Sequence, residues 1–249
     1  TLRDALARSS NVATLRLFNE VGSEKVIQTA RDFGIRASFV EGDPSIALGS
    51  TSMTLIELTA AYAGIAANAF PVEPHAFARE EKGWWETLWD GPGSLSGRTH
   101  DDIQGMLRAA INDGTGRAAM LRGPNFGKTG TSQDNRDALF VGYAGDLVVG
   151  VWIGNDDNSP LAGGISGGGL PAKIWRDFMI VPMNVNTSPS QHAPREHTHP
   201  GTPTEPLDAP GLDDTPLADG NSRLGIPHSP PVCSTKTTAL TLDPQLLAS

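Results

Sequence analysis

The residues with the clearest capacity for chemistry are Lys128-Thr129-Gly130-Thr131, which begin a hairpin-like pattern over 126–143. A β-strand points alternate side chains to opposite faces, so Lys128 and Gly130 share one face while Thr129 and Thr131 share the other. Gly130 lacks a Cβ, which lets another backbone approach closely. A peptide that added to this strand edge would meet an ammonium group, two hydroxyls and aligned backbone N–H groups. That combination suits an acyl-transfer substrate that carries a carboxylate.

A second polar group is Ser9-Ser10-Asn11, which interrupts the helical spacing of the first eight residues. Ser and Asn interrupt helices because their side chains bond nearby backbone groups. Ser9 and Asn11 can face one cleft only if the chain between them is extended, since a period of two aligns residues i and i+2. The residues alone favour a simpler interpretation, a joint between two helices in which Asn11 caps the second.

Composition limits the classes of function. The chain has 249 residues, of which 38% are hydrophobic, and a net charge of −9; this allows one domain with a core, or a domain and a tail. The acidic balance argues against nucleic-acid binding, which calls for a basic stripe. The single cysteine, Cys233, permits no disulfide within the chain. The sequence contains no run of about 18 apolar residues, so no membrane span is predicted. Asp156 and Asp157 lack a nearby His or third carboxylate, so neither a metal site nor a cofactor is predicted.

The elements that must position these residues follow from hydrophobic spacing and turn chemistry. The fold class predicted is α+β, an antiparallel sheet packed between helices. Thr115 is assigned only a backbone role, in a tight turn before the first strand, and 163–169 is predicted to be a flexible loop. The tryptophan-rich stretch 71–90 is interpreted as a hairpin that packs on a helix. The predicted strands are 126–131, 138–143 and 147–154, and the predicted helices are 12–21, 23–33, 55–68, 172–180 and one from Thr99 or Asp101 to 111.

The last part of the chain differs in composition. Residues 184–249 contain no aromatic side chain and are rich in Pro, Thr and Ser. Such a segment buries too little apolar surface to offset the conformational entropy of the chain. We therefore divide the chain into a domain over 1–183 and a disordered C-terminal tail over 184–249.

The order of several motifs gives the domain a family resemblance. Residues 1–183 resemble the C-terminal two-thirds of the transpeptidase domain of class A (bifunctional) penicillin-binding proteins. Each segment alone is weak, but together they occur in the family's order. The matching segments are Leu6-Ala7-Arg8-Ser9-Ser10-Asn11, Pro44-Ser45-Ile46-Ala47-Leu48-Gly49, Asn112-Asp113-Gly114-Thr115-Gly116-Arg117, Lys128-Thr129-Gly130-Thr131, Asp137-Ala138-Leu139-Phe140-Val141-Gly142-Tyr143 and Val151-Trp152-Ile153-Gly154-Asn155-Asp156-Asp157.

The resemblance implies acyl transfer from D-Ala-D-Ala stem peptides to an amine of a neighbouring peptidoglycan strand, and binding of β-lactams. The family's S-x-N motif falls on Ser9 and Asn11, and its K-T-G motif on Lys128-Thr129-Gly130. Ser9 would pass a proton to the leaving amine, Asn11 would hold the substrate amide, and Lys128 would orient Ser9. The substrate-binding group would be Thr129, Gly130 and Thr131, with the Thr131 N–H as half of an oxyanion hole.

One departure from the family is large. The S-x-x-K motif that carries the nucleophilic serine and its lysine partner occurs nowhere in this sequence. Because the chain opens in a helix without methionine, we expect it to be a piece of a longer protein and inactive alone. The nucleophile, the second oxyanion N–H, the first strands of the sheet, a glycosyltransferase domain and a membrane anchor would then lie upstream. The parent would work in the periplasm or on the outer face of the cytoplasmic membrane. A smaller departure is Leu139, where the family usually has Trp.

Two alternatives remain open from the sequence. A serine β-lactamase-like hydrolase shares the S-x-N and K-T-G logic, although the tryptophan-rich insert and the long tail favour the wall enzyme. A non-catalytic module that binds the cell wall or a protein partner is an alternative of another class. An S-x-x-K motif encoded upstream and in frame would distinguish an enzyme from such a module.

Overall fold

The computed structural model describes residues 1–76, 91–185 and 233–241. Six α-helices and four strands lie within these ranges, joined by short 3-10 turns. The helices are α1 (Leu2–Ala7), α2 (Asn11–Val21), α3 (Ser23–Asp32), α4 (Leu55–Ala67), α5 (Gly97–Asn112) and α6 (Leu170–Val185). The strands are β1 (Phe126–Thr131), β2 (Asp137–Ala144), β3 (Leu147–Asn155) and β4 (Cys233–Thr241).

Local side-chain chemistry sets the starts of the helices. In α4 the Thr54 hydroxyl accepts from Glu57 N at 3.2 Å, and the Glu57 carboxylate accepts from Thr54 N at 2.9 Å, a reciprocal capping box. The start predicted for α5, Thr99 or Asp101, is wrong. Ser96 is the N-cap, because its hydroxyl accepts from Thr99 N at 3.2 Å and draws the first turn three residues earlier.

The sheet is antiparallel and has the order β1-β2-β3-β4. The strand pair β1 and β2 is in register from Phe126 opposite Tyr143 to Thr131 opposite Ala138. A two-residue turn at Gly145-Asp146 joins β2 to β3, with Gly145 at a φ of 59°. The three predicted strands are confirmed to within one residue at each end, and so is the α+β class.

Helices cover both faces of the sheet, and the core lies in the two layers between. On one face Phe140 and Val151 pack against Trp175 of α6, whose indole N–H donates to the carbonyls of Gly142 at 3.2 Å and Val149 at 3.1 Å. On the other face Tyr143 and Val148 pack with residues of α4 and α5, namely Ala63 and Leu107. A fully buried indole has to find an acceptor for its N–H, so these two bonds fix α6 against the sheet.

The predicted tail needs correction in two places. Helix α6 runs on to Val185, two residues past the predicted boundary, and Cys233–Thr241 forms β4 on the free edge of β3. The composition averaged over 184–249 hid a short run rich in β-branched threonine, a residue type that favours strands. The remainder of the predicted tail, 186–232 and 242–249, lies outside the described residues, as does most of the tryptophan-rich hairpin, 77–90. In the part of the chain that the structure describes, no helix is both long and apolar enough to cross a membrane.

Candidate active site

The centre of the site is a contact between two residues 119 positions apart in the chain. Lys128 on β1 donates from Nζ to the Ser9 hydroxyl oxygen at 2.7 Å and to the Thr129 carbonyl at 3.0 Å. Burial of the ammonium group lowers the pKa of Lys128 to about 8, because water solvates the charged form better than the protein does. Lys128 is therefore a half-buried cation whose charge state changes near physiological pH.

Ser9 reaches this lysine through an unusual backbone conformation. It follows α1 with a φ of 54°, in the left-handed region that few non-glycine residues adopt. Two hydrogen bonds close this turn, from Ser9 N to Leu6 O at 3.0 Å and from Ser10 N to Ala5 O at 2.9 Å. The joint therefore points the Ser9 hydroxyl out of the helical path and towards the sheet.

The next two residues differ in part from their predicted roles. Ser10 is extended and is the N-cap of α2, its hydroxyl accepting from Ala13 N at 3.4 Å. The prediction that Asn11 caps α2 is wrong, because Asn11 is already the first residue of that helix. Ser10 supplies the extended residue that Ser9 and Asn11 would need in order to face one cleft. Asn11 is exposed, and no hydrogen bond of its side chain occurs within residues 1–76, 91–185 and 233–241.

The backbone of β1 presents alternate groups to a free edge. Ser132 N donates to Asp137 O at 3.0 Å and continues the β1–β2 register by one pair. In an antiparallel pair such bonding recurs at every second residue, so Gly130 and Lys128 bond to β2. The N–H of Thr131 and the carbonyl of Thr129 then point away from β2. Within the described residues no other strand pairs with this edge.

The hydroxyls of Thr129 and Thr131, the candidate substrate-binding groups, each contact another part of the chain. Gly167 N donates to the Thr131 hydroxyl at 3.0 Å. A Cβ on Gly167 would overlap the carbonyls of Gly130 and Leu139, so the loop before α6 lies flat on the strand only because it is glycine there. The Thr129 hydroxyl lies 2.6 Å from the hydroxyl of Thr115.

The sequence did not predict that the Thr115 hydroxyl and Gly167 contact the site. Thr115 was expected to have only a backbone role and 163–169 to be a flexible loop, whereas both segments contact β1 through the hydrogen bonds above. A signal was present in the two glycines that flank Thr115 and in the glycine run at 167–169, since glycine often marks a close backbone approach. What the sequence could not give is which strand those glycines approach.

The site as a whole presents cationic and hydroxyl donors along a strand edge. Lys128 supplies positive charge, while Thr129 and Thr131 supply hydroxyls, a set suited to a carboxylate. Ser9 lies beside the ammonium group and could take or give a proton. No cluster of three or more His, Cys, Asp or Glu side chains suitable for a metal ion is found among the described residues.

The sequence matches a known family over most of its length. The family model described as the penicillin binding protein transpeptidase domain matches residues 1–179. Penicillin-binding protein 1A of Aquifex aeolicus (strain VF5) is 35% identical over 189 residues, which cover 73% of this chain and 25% of that protein. Penicillin-binding protein 1A of Neisseria gonorrhoeae is 29% identical over 198 residues and is matched over 24% of its length. The chain thus spans about a quarter of the curated relatives that it matches.

Solved structures share the fold. The crystal structure of penicillin-binding protein 1A from Haemophilus influenzae superposes with a TM-score of 0.62 at 22% identity, over 78% of this chain and 36% of that one. The D,D-transpeptidase domain of a peptidoglycan glycosyltransferase from Eggerthella lenta gives a TM-score of 0.53 at 20% identity, over 75% of this chain and 54% of that one. These structures show the fold, and the family match over residues 1–179 shows that the chain belongs to the penicillin-binding protein transpeptidase-domain family.

Proposed function

We propose that this chain supplies the S-x-N and K-T-G parts of a D-Ala-D-Ala transpeptidase site that cross-links peptidoglycan and is acylated by penicillin. The observation that carries the proposal is the 2.7 Å contact between Lys128 Nζ and the Ser9 hydroxyl, which joins the two motifs. The family match supports the reaction class. The nucleophilic serine would come from an S-x-x-K segment that precedes this chain in a longer protein, called the longer protein.

The direction of the Lys128–Ser9 hydrogen bond supports a proton-transfer role for Ser9. An ammonium group can only donate, so it occupies a lone pair on the Ser9 oxygen and leaves the Ser9 proton free to point elsewhere. In the proposed acylation the serine of the S-x-x-K segment would give its proton to the lysine of that segment while its oxygen bonds to the carbonyl carbon of the penultimate D-Ala. The C–N bond then breaks, and D-alanine leaves. Ser9 would deliver the proton that the departing amine takes up, a step worth about 10²–10⁴-fold in rate.

The strand edge supports the binding half of the proposal. A stem peptide that pairs with the outward groups of β1 would place its carbonyl oxygen near the Thr131 N–H, half of an oxyanion hole. Asn11, exposed two residues beyond Ser9, would hold the substrate amide. The terminal carboxylate would meet the hydroxyls of Thr129 and Thr131 close to the Lys128 charge, with Gly130 leaving room for the peptide backbone.

The domain boundary and the cellular setting are part of the same proposal. The transpeptidase segment would include α6, which ends at Val185, and β4, with a Pro/Thr/Ser-rich stretch of chain between them. Stem peptides are substrates outside the cytoplasm, so the site would act in the periplasm or on the outer face of the membrane, in a parent anchored upstream. β-Lactam antibiotics would be its inhibitors.

Labelled penicillin tests the proposal by mass spectrometry. The longer protein should gain one drug mass on the S-x-x-K serine, and the 249-residue chain should gain none. Penicillin with a hydrolysed lactam ring is the matched control, since it cannot acylate. A folded longer protein that gains no mass contradicts the proposed function, and a stoichiometric adduct on a serine of the 249-residue chain contradicts the assignment of the nucleophile.

A further inference from the structure

The hydroxyl of Thr115 lies within hydrogen-bond distance of the Thr129 hydroxyl, a candidate substrate-binding group. It is 2.6 Å from the Thr129 hydroxyl, although the two residues belong to a turn and to β1. Thr115 is exposed and Thr129 is half-buried, so the pair lies at the surface of the protein and not in the core. A structural threonine would more often bond the backbone of its own turn.

The backbone of Thr115 is held by three other parts of the molecule. Thr115 N donates to Ala7 O at 3.1 Å, at the end of the helix that leads to Ser9. On the other side Gly168 packs on the Thr115 carbonyl so closely that a Cβ there would overlap it. Gly116 N donates to Ala110 O at 2.8 Å and fixes the turn to α5. The Thr115 side chain is thus presented to β1 from a fixed frame.

The hydrogen-bonding capacity of each group suggests a role for this hydroxyl. A carboxylate only accepts hydrogen bonds, so a threonine hydroxyl that binds it has used its single proton and can only accept from its other neighbours. For Thr131 the neighbouring donor is the Gly167 N–H, at 3.0 Å. For Thr129 the Thr115 hydroxyl is in position at 2.6 Å, while Lys128 Nζ lies at 3.5 Å, the outer limit of a hydrogen bond.

We infer that Thr115 is a positioning residue for recognition of the substrate carboxylate: its hydroxyl donates to Thr129 and turns the Thr129 proton towards the carboxylate. The inference rests on the proposed function, because it assigns a third hydroxyl to the proposed carboxylate site. It replaces the expectation that Thr115 has only a backbone role. Loss of one such hydrogen bond weakens an interaction by about 3-fold to 10-fold.

The test compares acylation of the longer protein by a penicillin and by the methyl ester of the same penicillin. The ester keeps the reactive lactam but has no carboxylate, so the ratio of the two second-order rate constants measures carboxylate recognition alone. Thr115→Val should lower the acid-to-ester ratio by about 3-fold to 10-fold, and Thr115→Ser, which keeps the hydroxyl, should restore it. Thr129→Val should also lower the ratio, and adding Thr115→Val to it should lower it no further.

Controls separate the possible failures. Thr29→Val removes another exposed threonine hydroxyl, on α3, and should leave the ratio unchanged. If the unsubstituted protein is not acylated, or shows no preference for the acid, the proposed function itself fails. If it prefers the acid and Thr115→Val keeps that preference, or slows acid and ester in the same proportion, the role of Thr115 is wrong. Thr115→Ala provides a second hydroxyl-free variant should valine disturb the turn.

Discussion

The two halves of the site are built in different ways. The strand half, Lys128–Thr131, takes its geometry from the sheet, because each residue has a partner on β2 and side chains alternate with a period of two. The joint half, Ser9–Asn11, has no such frame and includes a serine with a φ of 54°. Two local hydrogen bonds close its turn, and two contacts from distant parts of the chain hold it in place, the Lys128 bond to Ser9 and the Thr115 bond to Ala7.

The difference shows where the site is vulnerable. A substitution on the strand should remove one chemical group and leave the rest in place, since the register holds. A substitution under the joint should move Ser9 without changing any catalytic group. Three predictions test this contrast, from the largest expected effect to the smallest.

Lys128→Ala should have the largest effect, because it removes the charge near the carboxylate and the hydrogen-bond donor to Ser9. In the longer protein, acylation by penicillin should slow by roughly 10²-fold or more. Stopped-flow or gel-based acylation rates measure this effect. Lys173→Ala, which removes an exposed lysine on α6, is the control. Acylation of Lys128→Ala at the parent rate would show that the strand half is not needed.

Gly114→Ala should perturb the joint half with no loss of a functional group. A Cβ at Gly114 would overlap the Ala7 carbonyl and lie 2.8 Å from the Ala110 carbonyl, so α1 and Ser9 must shift. Overpacking of this kind costs about 1–3 kcal/mol of folding free energy. The matched control is Gly105→Ala in α5, where a Cβ meets nothing within 4 Å, and which should stabilise by about 0.5–1 kcal/mol. Chemical denaturation of both variants decides, and equal stability for the two would contradict the packing described for α1.

The pH dependence of the acylation rate should be the smallest of these three effects. Burial lowers the pKa of Lys128 to about 8, so the charge is present below that pH and lost above it. Acylation of the free protein should therefore fall above pH 8, by about tenfold at pH 9. Lys128→Arg, which stays charged, should flatten this limb. A flat profile for the unsubstituted protein up to pH 9.5 would contradict the assigned pKa.

The same shift makes a second prediction, of opposite sign, for folding stability. The folded-state pKa of Lys128 lies below the ordinary value of 10.5, so the unfolded chain binds more protons between about pH 8 and 10.5. The contribution of Lys128 to the free energy of unfolding should therefore rise with pH over that window. Chemical denaturation of the parent and of Lys128→Met at pH 7.5 and 9.5 measures this contribution. Between the two pH values the free energy of unfolding of the parent should rise relative to that of Lys128→Met.

The strand half was predictable from the sequence, and the joint half was only partly so. Alternation and turn residues located β1, β2 and β3 and placed Lys128 and Thr131 on them. At the joint, Ser10 and Asn11 are both good helix caps, and the choice between them depends on the left-handed turn at Ser9. Local bonds to Leu6 O and Ala5 O close that turn, but the Lys128 contact with the Ser9 hydroxyl comes from a distant part of the chain, which no local rule supplies.

Pairing at long range accounts for the other differences. Strand β4 begins 78 positions after β3 ends, and its threonine-rich run pairs with the edge of β3. Thr115 is a similar case, because its role depends on β1 lying within hydrogen-bond distance of its hydroxyl. The sequence located the chemical groups on the strand, and the tertiary structure assigned partners to them.

The central claim is that the two halves act as one unit through Lys128 and Ser9, and a double-mutant cycle on acylation tests it most directly. Each of Lys128→Ala and Ser9→Ala should slow acylation of the longer protein by roughly 10²-fold. Ser9→Gly repeats the hydroxyl deletion without a Cβ at the positive φ. Groups that act on one proton path are not additive, so the double variant should be little slower than the slower single variant. A double variant slowed by the product of the two single effects, roughly 10⁴-fold, would contradict the claim.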